Sequence, residues 1–307
     1  MDNYDLIILG AGPAGLTAQL YALRYNLKVL TIGGVVGGLM TESHKICNWP
    51  GEVAISGHDL SQKILDQVKG MGGEVVLDET ASVAKTPEGW QVLTKAGKSF
   101  VGQALVMAIG TEHLKLGLAE EANFVGKGLA YCATCDAMFF KGQTVAVVGG
   151  GNSAVTSALY LADICSKVYL IYRSAELKGE AVWQKELSKR GNIVSIKNTQ
   201  VKQLLGEKKL EKIILDQPFE GSAELAVAGL FVEIGVKPKT DLFVGLGGEL
   251  DETGHIKVKA DQSTNLEGVW AAGDITNGSN RFRQILTACA EGAVAANSIF
   301  TWLKQSR

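Results

Sequence analysis

Two cysteines, Cys132 and Cys135, stand two residues apart in the stretch Ala130 to Phe140, which reads AYCATCDAMFF. At that spacing two thiols can close a small disulfide ring and cycle between dithiol and disulfide, or they can supply half of a zinc site. Zinc needs two more ligands. His44 and Cys47 have ligand-like spacing, but the chain has no second C-x-x-C, so the redox dithiol is the preferred reading. Asp136 follows the pair directly, an acid placed where a departing or arriving thiolate needs a proton. Taken alone it is more simply a helix N-cap or a solvent-facing charge; beside a redox pair we read it as functional.

A second set of residues has the spacing to hold dinucleotides. Asp5 to Gly15 reads DLIILGAGPAG and Thr144 to Ala154 reads TVAVVGGGNSA. Both put a β-rich apolar run directly before G-x-G-x-x-[GA], with key positions Gly10, Gly12 and Gly15 in one copy and Gly149, Gly151 and Ala154 in the other, 139 residues on. The first glycine permits the tight turn and the second lets backbone N–H groups approach a pyrophosphate. The third position lets helix and strand pack closely. One such loop is weak evidence, but two in phase are strong. Two dinucleotide sites in one chain suggest two nucleotides exchanging a hydride, one of them usually a flavin.

The elements that must position these residues follow from the flanking pattern. Beyond each loop runs an uncharged Ala- and Leu-rich segment, Leu16 to Leu23 and Val155 to Ala162, helical by propensity. A second strand follows each, Lys28 to Ile32 and Lys167 to Ile171, each lysine 18 residues beyond the first glycine of its loop. Near the C-terminus, Gly268 to Asp274 (GVWAAGD) predicts a short strand ending in an acidic turn. Arg283-Gln284 and an Ala-rich helix over 285–299 come next. This segment could close the site opened at Gly10, making the first domain discontinuous. The fold class is α/β, with two Rossmann-like, doubly wound dinucleotide-binding domains, the second inserted into the first.

Composition sets the remaining bounds. A chain of 307 residues is one large or two medium domains, and 46% hydrophobic with 20% charged residues is globular. The net charge of -2 and the absence of a Lys/Arg run make nucleic acid an unexpected partner. Leu6 to Leu23 and Gly142 to Ala162 lack charge over a membrane-spanning length, but glycine clusters interrupt both, which fits strand-turn-helix and no membrane partner. Met1 to Tyr4 should precede the first strand, and Asp2 and Asp5 are acidic where a signal peptide is basic, so a cytoplasmic protein is expected. Five cysteines are not a secreted disulfide framework. Cys47, Cys165 and Cys289 are expected as small buried hydrophobes. Trp183, Trp270 and Trp302 are expected in the core or at an interface, with Trp302 a candidate for reaching a partner subunit.

The order of motifs GAGPAG, CNWPG, CATCD, VVGGGNSA, AGLFVEIG and AAGD resembles the low-molecular-weight thioredoxin reductases over nearly the whole chain. The resemblance implies a homodimer. Its subunit would have an FAD domain over roughly 1–114 and 242–307 enclosing a pyridine-nucleotide-type domain over roughly 115–241. It implies FAD contacts at Gly10, Gly12, Pro13, Ala14 and Gly15, at the Gly37-Gly38 turn, at Asn48 and Gly110, and at Gly273-Asp274 with Arg283-Gln284. Cys135 would be the flavin-facing thiol, Cys132 the thiol that attacks the thioredoxin disulfide, and Asp136 the acid-base partner. The two domains would rotate about hinges near 112–116 and 238–243.

The chain also departs from that family. The family's GGGxSAxEEA continues here as Gly149 to Ala158 with Thr156 and Ser157 in the acidic positions, and its HRRxxxR becomes Tyr172-Arg173-Ser174-Ala175-Glu176-Leu177-Lys178. Charge-assisted bonds to a 2′-phosphate are worth roughly 1.5 to 3 kcal/mol each, so Ser174 and Lys178 in place of arginines could cost about 10- to 1,000-fold in affinity. Two readings of the Gly149, Gly151, Asn152, Ser153, Ala154, Arg173 and Lys178 site follow. In one it still takes NAD(P)H. In the other it has kept its fold and lost its cofactor, with reduced ferredoxin or a similar protein as donor. The second is slightly favoured. In the FAD domain the departures are milder: Gly33 stands where a ribose-binding acid often lies, Ile109 replaces a threonine, and the segment Asp274 to Arg283, with its extra Arg281, is longer by about two residues. The other reaction classes considered are a ferredoxin-NAD(P) reductase, which needs no dithiol, and a redox-sensing flavoprotein.

Overall fold

A computed structural model describes residues 3–306. Met1 and Asp2, on which the expectation of no leader partly rests, lie outside the described residues. No helix among the described residues is long and apolar enough to cross a membrane. The chain divides into two compact units, one formed by Met1–Glu112 with Pro238–Arg307 and the other by His113–Lys237.

The first unit opens with β1 (Asn3–Leu9), which begins before the acidic start that the apolar run suggested, because Asn3 and Tyr4 already pair with Val101 and Gly102. Then come α1 (Pro13–Arg24), β2 (Val29–Ile32), α2 (Gly57–Gly70), β3 (Glu74–Val76), β4 (Thr80–Thr86), β5 (Gly89–Thr94) and β6 (Ser99–Met107). Pro13 sits at the first helical position, where its missing N–H is not needed. Ser56 caps α2 by accepting the Asp59 N–H at 3.0 Å. The chain leaves through β7 (Thr111–His113).

The second unit runs α3 (Glu121–Phe124), β8 (Leu129–Ala130), α4 (Ala133–Asp136), β9 (Thr144–Val148), α5 (Asn152–Ala162), β10 (Lys167–Tyr172), α6 (Ala181–Leu187) and β11 (Ile193–Lys197), then β12 (Val201–Leu205), β13 (Lys212–Phe219), β14 (Ser222–Ala226) and β15 (Gly229–Val232). The order β11-β10-β9-β15-β8 is a parallel sheet, and β12-β13-β14 a separate antiparallel one. The chain returns through β16 (Val236–Pro238), which pairs with β7, and finishes unit one with α7 (Asp241–Gly245), β17 (Val269–Ala271) and α8 (Ile285–Ser306).

Strand order in the first unit is β3-β2-β1-β6-β5-β4. β6 pairs antiparallel with β5 through residues 99–102 and parallel with β17 through 105–107. Strands in the middle of such sheets are covered on both faces, which is why they read as unbroken apolar runs. Leu6, Ile7, Ile8 and Leu9 of β1 and Val145, Ala146 and Val147 of β9 are all fully buried. On one face α1 and α8 meet through Ala14, Ala18, Ala22, Ala288, Ala295 and Ala296. Gly292 lets them touch, since a Cβ there would stand 2.2 Å from the Ala14 carbonyl oxygen. α8 continues past Ile299, where the Ala-rich pattern ends, because Leu303 is buried and Trp302 meets Trp270 edge-to-face at 5.5 Å. Trp302 thus packs within its own unit.

One cysteine departs from expectation. Cys165 and Cys289 are buried, but Cys47 is exposed. Ile46 and Ile55 exchange backbone hydrogen bonds at 2.7 and 3.0 Å, and this bridge turns Ile46 into the core and its neighbour out to solvent.

Candidate active site and cofactor cradles

The first glycine loop joins β1 to α1. Gly10 adopts φ +111°, and a Cβ on it would stand 2.1 Å from the Ala108 carbonyl oxygen; on Gly15 it would stand 1.9 Å from the Gly10 carbonyl oxygen. Neither site admits a side chain. Gly12 is different: nothing lies within 4 Å of its Cβ position, so its backbone faces open space. It is the N-cap of α1, and no side chain caps the helix, which leaves the first N–H groups and the positive end of the helix dipole for an anion. Gly38, at φ +54°, lies opposite, its Cβ position 3.6 Å from the Gly12 Cα. Gly37, at φ +87°, donates its N–H to the Ala11 carbonyl at 2.8 Å.

The returning segment comes to the same loop. Gly273, at φ +84°, has its Cβ position 2.9 Å from the Ala14 Cβ, which sets the β17 turn on the start of α1. Burial pushes the Asp274 carboxyl up, with Glu291 adding to the effect and Arg283 opposing it. The Arg283 Nε is buried without a hydrogen-bond partner. Asn48 donates its side-chain N–H to Gln284 Oε1 at 2.9 Å. Gly110, at φ +66°, accepts the Lys239 N–H at 3.0 Å. An uncapped helix end, backbone with no room for Cβ atoms and an orphaned buried guanidinium nitrogen fit the diphosphate of a dinucleotide. Arg281 is not a free cation, since it pairs with Asp251 at 3.0 Å and with Glu252 at 2.5 Å.

The second loop repeats the first locally. Gly149, at φ +145°, has its Cβ position 2.1 Å from the Glu233 carbonyl oxygen, Gly151 faces open space, and α5 starts without a side-chain cap. Ala154, in the third position, is fully buried. The flanking charges differ. Ser174 Oγ donates to the Glu176 carbonyl at 2.7 Å, and Asn152 and Glu180 are joined by two hydrogen bonds of 3.1 and 2.7 Å. From Arg173 to Glu180 the two cations, Arg173 and Lys178, are matched by two carboxylates, Glu176 and Glu180. The segment carries no net formal charge. Ser157 donates to Glu233 Oε1 at 2.8 Å, and Ser153 lies in the first turn of α5.

The cysteines lie at the start of α4, ahead of β9. They form a disulfide, with Cα atoms 5.3 Å apart, and the Cys135 N–H points at Cys132 Sγ at 3.1 Å. Cys132 is half-buried and Cys135 exposed. Asp136 starts the next helical turn, yet its side chain makes no capping hydrogen bond, and burial alone pushes its carboxyl up. An acid with a raised pKa beside a dithiol is suited to carry a proton. No group of three or more His, Cys, Asp or Glu among the described residues is arranged to hold a metal ion.

Sequence reasoning missed two buried carboxylates that brace these sites. Glu121 accepts the N–H groups of Leu116 and Gly117 at 2.9 and 2.8 Å and the Tyr131 hydroxyl at 2.6 Å. Tyr131 directly precedes Cys132, and its ring stacks on His113 at 5.9 Å. Glu291 accepts the Gly273 N–H at 2.8 Å and the Thr276 hydroxyl at 3.0 Å, fixing the turn that carries Asp274. A signal existed for Glu291, the one charged residue between Ile285 and Leu303.

Comparison with known proteins agrees with this geometry. A family model described as pyridine nucleotide-disulphide oxidoreductase matches residues 4–292. Thioredoxin reductase of Listeria innocua is 37% identical over 305 residues, covering 98% of this chain and 94% of the relative. The thioredoxin reductase structure from Lactococcus lactis, in its FR conformation, superimposes with a TM-score of 0.92 at 32% identity, covering 98% of this chain and 99% of that one. A ferredoxin-flavin thioredoxin reductase from Clostridium acetobutylicum superimposes with a TM-score of 0.53 at 29% identity, covering 99% of both chains. A match over nearly the whole chain at this level of identity shows the family: the chain belongs to the pyridine nucleotide-disulphide oxidoreductases and, among them, to the flavin-dependent thioredoxin reductases.

Proposed function

We propose that this protein reduces the disulfide of thioredoxin or a related dithiol protein, taking its electrons from reduced ferredoxin in preference to NAD(P)H. The observation that carries the first half is the Cys132–Cys135 disulfide beside an acid that caps nothing and has a raised pKa. FAD, held in unit one, supplies two electrons at a time when bound. Gly12 and the N-terminus of α1 would hold its diphosphate with Arg283, and Asp274 would position its sugar chain.

Two electrons and two protons open the Cys132–Cys135 bond, with Cys135 the thiol through which electrons enter. Asp136 passes the proton between thiolate and solvent. The Cys132 thiolate then attacks the partner's disulfide. Cys135 resolves the mixed disulfide by attacking Cys132, restoring the intramolecular bond and releasing the partner as a dithiol. By likeness to the family the working form is a homodimer, and a mostly unpaired cysteine set suits the cytoplasm.

The balanced charges from Arg173 to Glu180 support a protein donor, because a 2′-phosphate needs a net positive clamp. The open Gly151 backbone and uncapped α5 favour the other reading, an ordinary NAD(P)H-dependent thioredoxin reductase. Anaerobic titration of the oxidised flavoprotein decides between them. Bleaching of the flavin band by reduced ferredoxin, but by neither NADPH nor NADH, is the expected result. Rapid bleaching at micromolar NADPH refutes the ferredoxin preference.

A further inference from the structure

The end of β2 is where a dinucleotide fold ordinarily carries the acid that accepts hydrogen bonds from the adenosine ribose hydroxyls. This chain has Ile32, Gly33 and Gly34 there. Gly33 is closed to any side chain: a Cβ on it would stand 2.5 Å from the Ala11 nitrogen and 2.7 Å from the Ala11 Cβ, inside the first glycine loop. Gly34 is closed by no backbone. Within 4 Å its Cβ position meets the Glu79 side chain, at 3.1 Å from Cγ and 3.5 Å from Oε1. The space that an acidic side chain at the strand end would take is therefore taken by a carboxylate arriving from the turn between β3 and β4.

Glu79 is bonded on the surface in that position, its side chain 61% exposed. Its N–H donates to Asp78 Oδ1 at 2.7 Å, its carbonyl accepts the Lys95 N–H at 2.8 Å, and its Oε2 pairs with the Lys95 ammonium. The pairing with Lys95 holds the carboxyl below its usual range, so it is ionised at neutral pH. It also engages the oxygen farther from Gly34 and leaves Oε1 as the one turned to the strand end. Gly33 donates its N–H to the Val76 carbonyl at 3.0 Å, tying the two strand ends together beneath this carboxylate.

We propose that Glu79 accepts the hydrogen bonds of the adenosine ribose of FAD, replacing the acid missing from the end of β2. The proposal rests on FAD occupying the first glycine loop. It makes Glu79 a specificity residue for the adenosine half of the cofactor alone, with no part in the flavin chemistry.

The test uses dilution of the holoenzyme with flavin fluorescence to obtain the FAD dissociation constant, and displacement by excess FMN, which lacks adenosine, to obtain that of FMN. Glu79→Gln keeps the shape and removes the charge. The expected result is FAD binding weakened by about 10- to 100-fold, the value of one charged hydrogen bond, with FMN binding unchanged. In a Glu79→Ala protein, Gly34→Asp should restore most of the loss, since the Cβ at 34 then has room. FAD binding within twofold of the unsubstituted protein, or FAD and FMN weakened in parallel, overturns the proposal while leaving the FAD assignment standing. Purification of the unsubstituted protein without flavin overturns both.

Discussion

Replacing Glu121 with alanine tests whether the segment entering the second unit and the residue before the redox pair are held by one carboxylate. Glu121 is 4% exposed and accepts three hydrogen bonds, from Leu116, Gly117 and Tyr131. Gly117 is exposed, so water can replace its bond at little cost, whereas the Leu116 and Tyr131 donors are half-buried. A bond to a charged group is worth about 1.5 to 3 kcal/mol where water cannot substitute, and less where it can. Glu121→Ala should therefore destabilise the second unit by about 2 to 4 kcal/mol, and Tyr131→Phe by about 1 to 2 kcal/mol. The double variant should cost less than the sum, because both remove the same 2.6 Å bond. Trp183 is the single tryptophan between His113 and Lys237, so fluorotryptophan NMR during urea unfolding reads this unit separately, while flavin absorbance reads the other. Burial, with help from Glu121, pushes the Tyr131 phenol well above its usual range, and Glu121→Ala should bring its ultraviolet titration back toward normal. A loss below about 0.5 kcal/mol, or strict additivity, would show that solvent satisfies these groups and that Glu121 braces nothing.

Other perturbations have distinct outcomes. Cys132→Ser or Cys135→Ser should abolish turnover with thioredoxin while FAD stays bound; undiminished turnover would remove the dithiol from the mechanism. Asp136→Asn should slow turnover yet stabilise the second unit at neutral pH. The folded carboxyl is raised above its unfolded value, so its ionisation weakens the fold as pH rises through the folded pKa. That advantage of the variant should vanish as pH falls below the unfolded value, which urea midpoints taken across acid pH will show. With the disulfide intact, Cys47 should react fast with a thiol reagent, while Cys165, pushed up to about 11 by burial, and Cys289 stay silent until unfolding. Ser174→Arg with Glu176→Gln should raise NADPH affinity by about tenfold or more, measured by flavin bleaching; no gain would mean that charge is not what limits that site.

Much of the fold could be read in the chain because it depends on local chemistry. The two glycine loops, the helices after them and the strands beginning near Lys28 and Lys167 all fall where periodicity and turn chemistry put them. The C-x-x-C spacing allowed a disulfide or half of a zinc site, the lack of a second C-x-x-C favoured the first, and the structure has the disulfide. What escaped was set by contacts that no local pattern announces. Glu121 and Tyr131 are ten residues apart and ordinary in composition, and only the folded chain brings them together. The exposure of Cys47 depends on a bridge between Ile46 and Ile55, and the length of α8 on packing against α1 and β17. The charge balance from Arg173 to Glu180 could be counted in the chain, whereas the hydrogen bonds that tie Asn152 to Glu180 and Ser174 to the Glu176 carbonyl came only with the fold.

The pairing of β17 with β6 and the packing of α8 on α1 impose an order on biosynthesis. The first glycine loop leaves the ribosome before the inserted unit, yet the strand and helix that complete its surroundings leave after it. All of the inserted unit, from His113 to Lys237, emerges before them. Because domains tend to fold as units during synthesis, the disulfide-bearing unit can close on a tethered chain whose outer unit still lacks its final strand. Flavin capture should then wait until β17 and α8 have emerged and packed. Truncations within α8 should yield chains with a folded inner unit and no bound cofactor.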